Sequence, residues 1–147
     1  MRRWPQIAML ALAAWLTAER APAAEDAILG TWLTENGDSK VAISSRRADD
    51  GGTLYSGEVV WLANPTRNGQ PVHDANASDP ALRARPILGL EVLSGFTRSP
   101  DGVLRGGTLY SPRRGKSYPA ELSLTPDGRL SVVVKAGLLS KTVYWTR

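Results

Sequence analysis

After an apolar opening stretch, the chain breaks into short runs of β-branched, aromatic and aliphatic residues separated by Gly, Pro, Asn and Asp, which is the pattern of an all-β domain. Eight runs read as strands: Gly30 to Thr34, Lys40 to Ser45, Leu54 to Leu62, Leu88 to Thr97, Val103 to Tyr110, Tyr118 to Leu124, Arg129 to Lys135 and Thr142 to Thr146. Alternation is clearest in the third and sixth. Tyr55, Val59 and Trp61 fall on one face of the third, and Tyr118, Ala120, Leu122 and Leu124 on one face of the sixth. No long amphipathic helix is predicted beyond the opening stretch.

The connectors say how the strands are joined. Ser99-Pro100-Asp101-Gly102 and Thr125-Pro126-Asp127-Gly128 are near copies in which Pro presets φ, Asp bonds the backbone and Gly accepts φ > 0. With Ser111-Pro112-Arg113-Arg114-Gly115 as a third hairpin turn, the last five strands form an antiparallel meander without room for crossover helices. Eight such strands close as a small up-and-down barrel. Outer-membrane barrels share this topology, but their strands are longer and carry an outward apolar band, whereas charges are interspersed here. One segment breaks the rhythm: Ala63 to Pro86 is a long polar loop, in which Asp79-Pro80-Ala81-Leu82-Arg83 predicts a helical turn with Asp as N-cap and Pro at the first helical position.

The opening stretch has the three parts of a secretory leader: basic Met1-Arg2-Arg3, an apolar run from Ile7 to Ala18, and Ala21-Pro22-Ala23 as the cleavage region. Residues 1–23 are expected to be a signal peptide, with residues 24–147 one exported domain, periplasmic or secreted, without stable membrane insertion. The leader also distorts the charge. The whole chain has a pI near 9.8, but Arg2, Arg3, Arg20 and Glu19 depart with the leader, leaving 15 basic against 13 acidic side chains. That balance gives no electrostatic reason to expect nucleic acid as a partner. The chain has no cysteine, so disulfides and thiolate chemistry are excluded.

Catalysis is poorly supplied. His73 is the only histidine, and a conventional triad needs a nucleophile and base held together. Adjacent side chains such as His73 and Asp74 rarely face one another. Asp74, Asn76 and Asp79 offer oxygen ligands but not the spacing of a Ca2+ loop. No enzyme activity, metal or cofactor is expected. Binding is better supplied: an eight-stranded barrel holds one small ligand, with Tyr55, Trp61, Tyr110 and Tyr118 as candidate aromatic walls. Arg83, Arg85 and Lys116 are candidates for an acidic head group. The expected function is therefore non-catalytic binding of a small apolar or amphipathic molecule in the cell envelope. The alternative is a filled barrel that displays its long loop to a protein or polysaccharide, and a homodimer stays open.

Three stretches carry a resemblance: Gly57-Glu58-Val59-Val60-Trp61-Leu62, Asp79-Pro80-Ala81-Leu82-Arg83-Ala84-Arg85-Pro86-Ile87-Leu88-Gly89-Leu90, and Gly107-Thr108-Leu109-Tyr110-Ser111-Pro112 followed by Gly115-Lys116-Ser117-Tyr118. With the closing Trp145-Thr146-Arg147, this order resembles a bacterial exported family, domain of unknown function 2147. The resemblance implies a lipocalin-like (calycin) barrel with no assigned activity. Gly30-Thr31-Trp32 and Arg147 look like the calycin closure signature, in which an Arg lies over an indole face, so Gly30, Trp32, Trp145 and Arg147 are read as structural. The chain departs from the family pattern at Asn76-Ala77-Ser78-Asp79-Pro80, at Val103-Leu104-Arg105 and in the turn from Lys135 to Lys141.

Overall fold

The structure, a computed structural model, describes residues 26–147; the expected leader and its cleavage after Ala23 lie outside the described residues. The strands are β1 (Gly30–Leu33), β2 (Ser39–Arg47), β3 (Thr53–Leu62), β4 (Thr66–Arg67), β5 (Gln70–Pro71), β6 (Glu91–Arg98), β7 (Leu104–Ser111), β8 (Lys116–Leu124), β9 (Leu130–Ala136) and β10 (Leu139–Trp145). All but β4 and β5 form one antiparallel sheet, each strand paired with the next in chain order, and it curls on itself as the all-β reading requires. Strand direction alternates, so the connections sort by end. The β1–β2, β7–β8 and β9–β10 turns gather at one end with the long connector between β3 and β6, and the β2–β3, β6–β7 and β8–β9 turns gather at the other.

Both Pro-Asp-Gly connectors are hairpin turns built alike. Gly102 N–H donates to Ser99 O at 2.9 Å and Gly128 N–H to Thr125 O at 3.0 Å, and each pair of strands is closed by a second bond across the turn. The last hairpin is tighter than the sequence suggests. β9 runs through Ala136 and β10 starts at Leu139, leaving Gly137-Leu138 as a two-residue tip instead of an open turn from Lys135 to Lys141. Gly137 supplies the positive φ such a tip needs.

The inward rows meet as cross-strand pairs such as Trp32 with Val41, Tyr55 with Phe96, and Leu104 with Leu122. Trp32, Leu93, Phe96, Leu104, Leu130 and Val132 have no solvent-accessible surface and Leu122 has only 1%, so the centre of the barrel is closely packed. The Phe96 ring occupies the room left by the missing side chain of Gly107, where a Cβ would come within 2.5 Å of the ring. One expected inward residue is elsewhere. Lys40 pairs with Trp61 while the next residue, Val41, pairs with Val59, so Val60 is an extra residue in β3. That bulge turns Trp61 out of the row that holds Tyr55 and Val59. Its indole is 42% exposed, with the Lys40 ammonium 5.2 Å above it.

Closure is narrow. β1 has four residues, and it meets the last strand at a single bridge, Leu33 with Thr146, whose two N–H groups donate to each other's carbonyls at 2.6 and 3.0 Å. Arg147 supplies the rest. Its guanidinium lies 4.1 Å over the Trp32 ring and donates to the carbonyls of Ala27 and Leu29, the latter at 3.1 Å. Trp32 Nε1 donates to Ile28 O at 2.9 Å, so the buried indole is satisfied. Gly30 is required twice over: its φ is +114°, and a Cβ there would stand 2.6 Å from the Arg147 guanidinium.

Replacing Arg147 by Ala removes the stacked cation and two charge-assisted bonds from this seam. The expected loss is about 1–3 kcal/mol in urea denaturation, and an unchanged midpoint would show the seam to be held without it. Acid should weaken the fold as well. Asp26 has its carboxyl held below the usual range: partial burial opposes this, but hydrogen bonds from Tyr55 and Arg98 outweigh it. Asp38 is lowered in the same way, with burial overcome by bonds from Thr34, Arg113 and Ser39. Both are more acidic folded than unfolded, so their stabilisation is complete above the unfolded carboxylate value and disappears as the pH falls below about 4. Thermal melts should show that fall, and Asp26→Asn should make it shallower.

Candidate functional site at the loop end

The long connector is a folded scaffold. Asn68-Gly69, with φ of 50° and 75°, makes the tight turn of the β4–β5 hairpin. Asp79 caps a 3-10 helix at Pro80–Leu82 by accepting from Ala81 N–H at 2.9 Å, as its sequence predicts. The strands of the connector return on themselves through a bridge between His73 and Pro86.

At the centre lies Asp74, fully buried. Arg85 donates from Nε at 2.9 Å and Nη2 at 2.8 Å to its Oδ2, and Tyr110 Oη lies 2.8 and 2.7 Å from the two carboxylate oxygens. The Arg85 guanidinium also sits 5.1 Å over the Tyr110 ring. The bond to Asp74 pushes the Arg85 pKa up and keeps the cation fixed. Burial, then the same carboxylate, pushes Tyr110 up, so its hydroxyl stays a donor. An ion pair this enclosed is stable only with its remaining lone pairs filled, and the tyrosine fills them.

The same arrangement recurs at the opposite end of the barrel. Asp26 accepts from Arg98 Nη2 at 2.7 and 2.6 Å and from Tyr55 Oη at 2.6 Å, and Arg98 lies 5.3 Å over the Tyr55 ring. Each clamp ties a connecting segment to strand residues: the long connector to β7 at one end, the segment before β1 to β3 and β6 at the other.

These clamps absorb several of the expected ligand contacts. Arg85 and Tyr110 come together around Asp74, and Tyr55 is held at the far end of the barrel. Arg83 donates from Nε to Ala77 O at 2.9 Å, inside the connector. Tyr118 is half-buried and faces Leu109, while Lys116 is exposed at the start of β8. Trp61 is on the outside. The seven residues therefore do not line one cavity. His73 is exposed, and the carboxylate of its neighbour Asp74 is taken by Arg85 and Tyr110. Asp74 was the signal missed in sequence: a lone acid in a polar loop reads as solvated until Arg85 and Tyr110 are known to reach it.

The connector is also fastened to the β7–β8 turn. Asn76 donates to Arg113 O at 3.1 Å and Ser78 to Gly115 O at 2.8 Å, and Arg113 pairs with Asp38 across the same end at 2.5 Å. Gly115 has φ of +65°, and a Cβ there would lie 1.7 Å from Asn76 O. Two clefts of about 440 and 500 Å3 open on the other end of the barrel. One is lined by Ile28, Arg98 and Leu124, the other by Asp26, Gly30 and Arg147.

Removing either charge of the buried pair leaves the other uncompensated. Asp74→Ala and Arg85→Ala should each cost about 2–4 kcal/mol, read by chemical denaturation, with the double substitution costing less than their sum. Gly115→Ala should cost about 2–3 kcal/mol and loosen the connector, seen as faster amide exchange at Ala77. A change below 0.5 kcal/mol, on the scale of ordinary surface substitutions, would mean that the connector packs independently of these contacts.

The fold and its loop-end scaffold can be set beside known proteins. No curated protein matches the chain. Among solved structures, it is similar to protein HP1028 from the human pathogen Helicobacter pylori, described as belonging to the lipocalin family. The TM-score is 0.62, with 19% sequence identity and 81% of each chain covered. At that identity the likeness concerns the fold, an eight-stranded lipocalin-like sheet. Residues 30–147 match the family described as "uncharacterized protein conserved in bacteria", and by that match the chain belongs to domain of unknown function 2147 (DUF2147).

Proposed function

We propose that this protein is a non-catalytic binding module of the bacterial cell envelope that works through its outer surface, with the loop end as the recognition face. The observation that carries the reading is the sealed interior. A ligand pocket of the usual kind needs about 300–1,000 Å3 of concave space, and the two clefts of that size open outward at the end of the barrel opposite the loop end. Here Trp32, Leu93, Phe96, Leu104, Leu130 and Val132 meet inside the barrel with no solvent-accessible surface, and Leu122 packs among them at 1%. A guest held inside, the first expectation from sequence, would have to displace Phe96 and Leu93 from close packing. The lipocalin-like fold is compatible with binding in general, and DUF2147 membership assigns no activity. The leader expected at residues 1–23 supports an envelope setting.

The loop end also has the right construction for recognition. The Asp74 clamp, the Asp79 cap and the contacts to the β7–β8 turn hold a long surface segment in one shape, which lowers the ordering cost of binding. No step of chemistry is assigned to any residue.

Native mass spectrometry of the protein purified from its own host tests the reading. The expected spectrum is that of the chain alone, with no saturable uptake of a fluorescent fatty-acid probe. A lipid-sized adduct at one per chain would overturn it and return the ligand to the barrel interior.

A further inference from the structure

Eight large apolar side chains are exposed among the described residues, and six of them lie at the loop end: Val60, Trp61, Leu82, Leu88, Leu138 and Leu139. The last two are extreme. Leu138, in the Gly137-Leu138 tip between β9 and β10, is 107% exposed, and Leu139, the first residue of β10, is 77% exposed, with nothing covering either. Turn tips ordinarily carry polar or turn-forming residues, so paired leucines here are unexplained by the turn itself.

Cations surround this tip. Lys135 and Lys141 flank it in sequence. Extending the β8–β9 register, in which Ala120 faces Val134, brings Lys116 level with Leu138. Arg114, in the adjoining β7–β8 turn, is exposed as well. Lys135 is engaged by Glu121 at 2.8 Å, a carboxylate it shares with Arg105. Among the described residues, no carboxylate lies within ion-pair distance of Arg114, Lys116 or Lys141. On the other side of the same end, Lys40 sits over the exposed face of Trp61.

We infer that the loop end docks on the surface of an anionic phospholipid bilayer, with Leu138 and Leu139 entering the acyl boundary and Lys116, Lys141 and Arg114 resting on the head groups. The inference rests on the outer-surface reading above and names its partner. Protruding apolar side chains with unpaired cations at the same end match an interface that is apolar within and negatively charged at its rim. The amphipathic Trp61–Lys40 pair suits the same boundary. A protein partner would more naturally cover one continuous patch with its charges at the edge. Docking of this kind is peripheral and reversible, and no strand or helix of the chain has to leave the barrel.

The test is co-sedimentation of the full chain, as purified from its host, with vesicles. One set is phosphatidylcholine alone and the other contains about one-third phosphatidylglycerol, a composition chosen to give the surface a strong negative potential. The protein is expected on the anionic vesicles, with at least tenfold weaker binding to the neutral ones and a marked decline as salt rises. Leu138→Ser with Leu139→Ser should reduce binding at least tenfold at an unchanged melting temperature, because neither side chain is packed. Lys116→Glu with Lys141→Glu should do the same independently. All variants share one amino terminus, so residues before Asp26 contribute equally to each comparison. Failure of the wild type to sediment, equal binding to both vesicle types, or binding undiminished by either double variant would overturn the inference. A barrel that instead extracted single lipids would appear as a one-to-one adduct indifferent to vesicle charge, which is failure of the outer-surface reading and distinct from these.

Discussion

The guanidinium of Arg147, laid on the Trp32 indole and bonded to the carbonyls of Ala27 and Leu29, is the contact that turns a curled sheet into a closed shape. β1 is too short to form a ladder with β10, and one bridge between Leu33 and Thr146 is all the backbone contributes. A planar cation is suited to the remaining gap. Its face satisfies an aromatic ring and its edge satisfies carbonyl oxygens, two demands that an ammonium or an apolar side chain cannot meet together. Because Arg147 holds the segment before β1 in place, Trp32 stays inside the barrel with its N–H bonded to Ile28. The glycine two residues before Trp32 follows from the same geometry, since any side chain there would strike the guanidinium.

The two Arg–Asp–Tyr clamps solve one problem at opposite ends. Each connecting segment must cross the mouth of a barrel whose rim is only partly apolar, and each does so by burying a carboxylate that needs several donors. An arginine stacked on a tyrosine presents both donors from one rigid pair. At the loop end the carboxylate is wholly buried and the clamp orders the long connector. At the other end Asp26 keeps some contact with water, and Arg98 binds the Gly102 carbonyl as well, at 3.0 Å, joining the clamp to the β6–β7 turn. Arginine and tyrosine at these positions are thereby committed to structure. That commitment is why Arg85, Tyr110 and Tyr55 read as ligand contacts in sequence and serve as internal fastenings in the fold.

Much of the architecture was legible because it depends on local signals. The two Pro-Asp-Gly turns, the Asp79 cap and the period-two rows of β8 are decided within a few residues, and each appears where the pattern places it. Trp61 departs from its expected face because a bulge is invisible to period counting: a single extra residue, Val60, reverses the side chain's direction. The β4–β5 hairpin is not legible from periodicity although Asn68-Gly69 is a strong turn signal, since strands of two residues leave no alternation to detect. The Asp74 clamp joins positions 36 residues apart in chain, and only the folded connector brings them together. A sealed interior is harder still to read, because it depends on how Phe96 fits over Gly107 and not on which strands carry apolar faces.

A barrel that is full inside and closed by side chains has only its rims with which to meet other molecules, and its two rims differ. The rim at the β8–β9 turn is edged by compact ion pairs such as Arg129 with Asp127 and Arg105 with Asp101. The loop-end rim carries exposed leucines beside unpaired cations. Along β10, pairing with β1 occurs only beyond the strand's end, so an apolar tip there adjoins a free edge, a combination that favours self-association in water. Lys141, with Lys116 and Arg114 at the same end, opposes that association by charge. The same charges that keep two copies of the tip apart draw it toward a surface of opposite sign, so solubility before docking and affinity on docking come from one set of side chains.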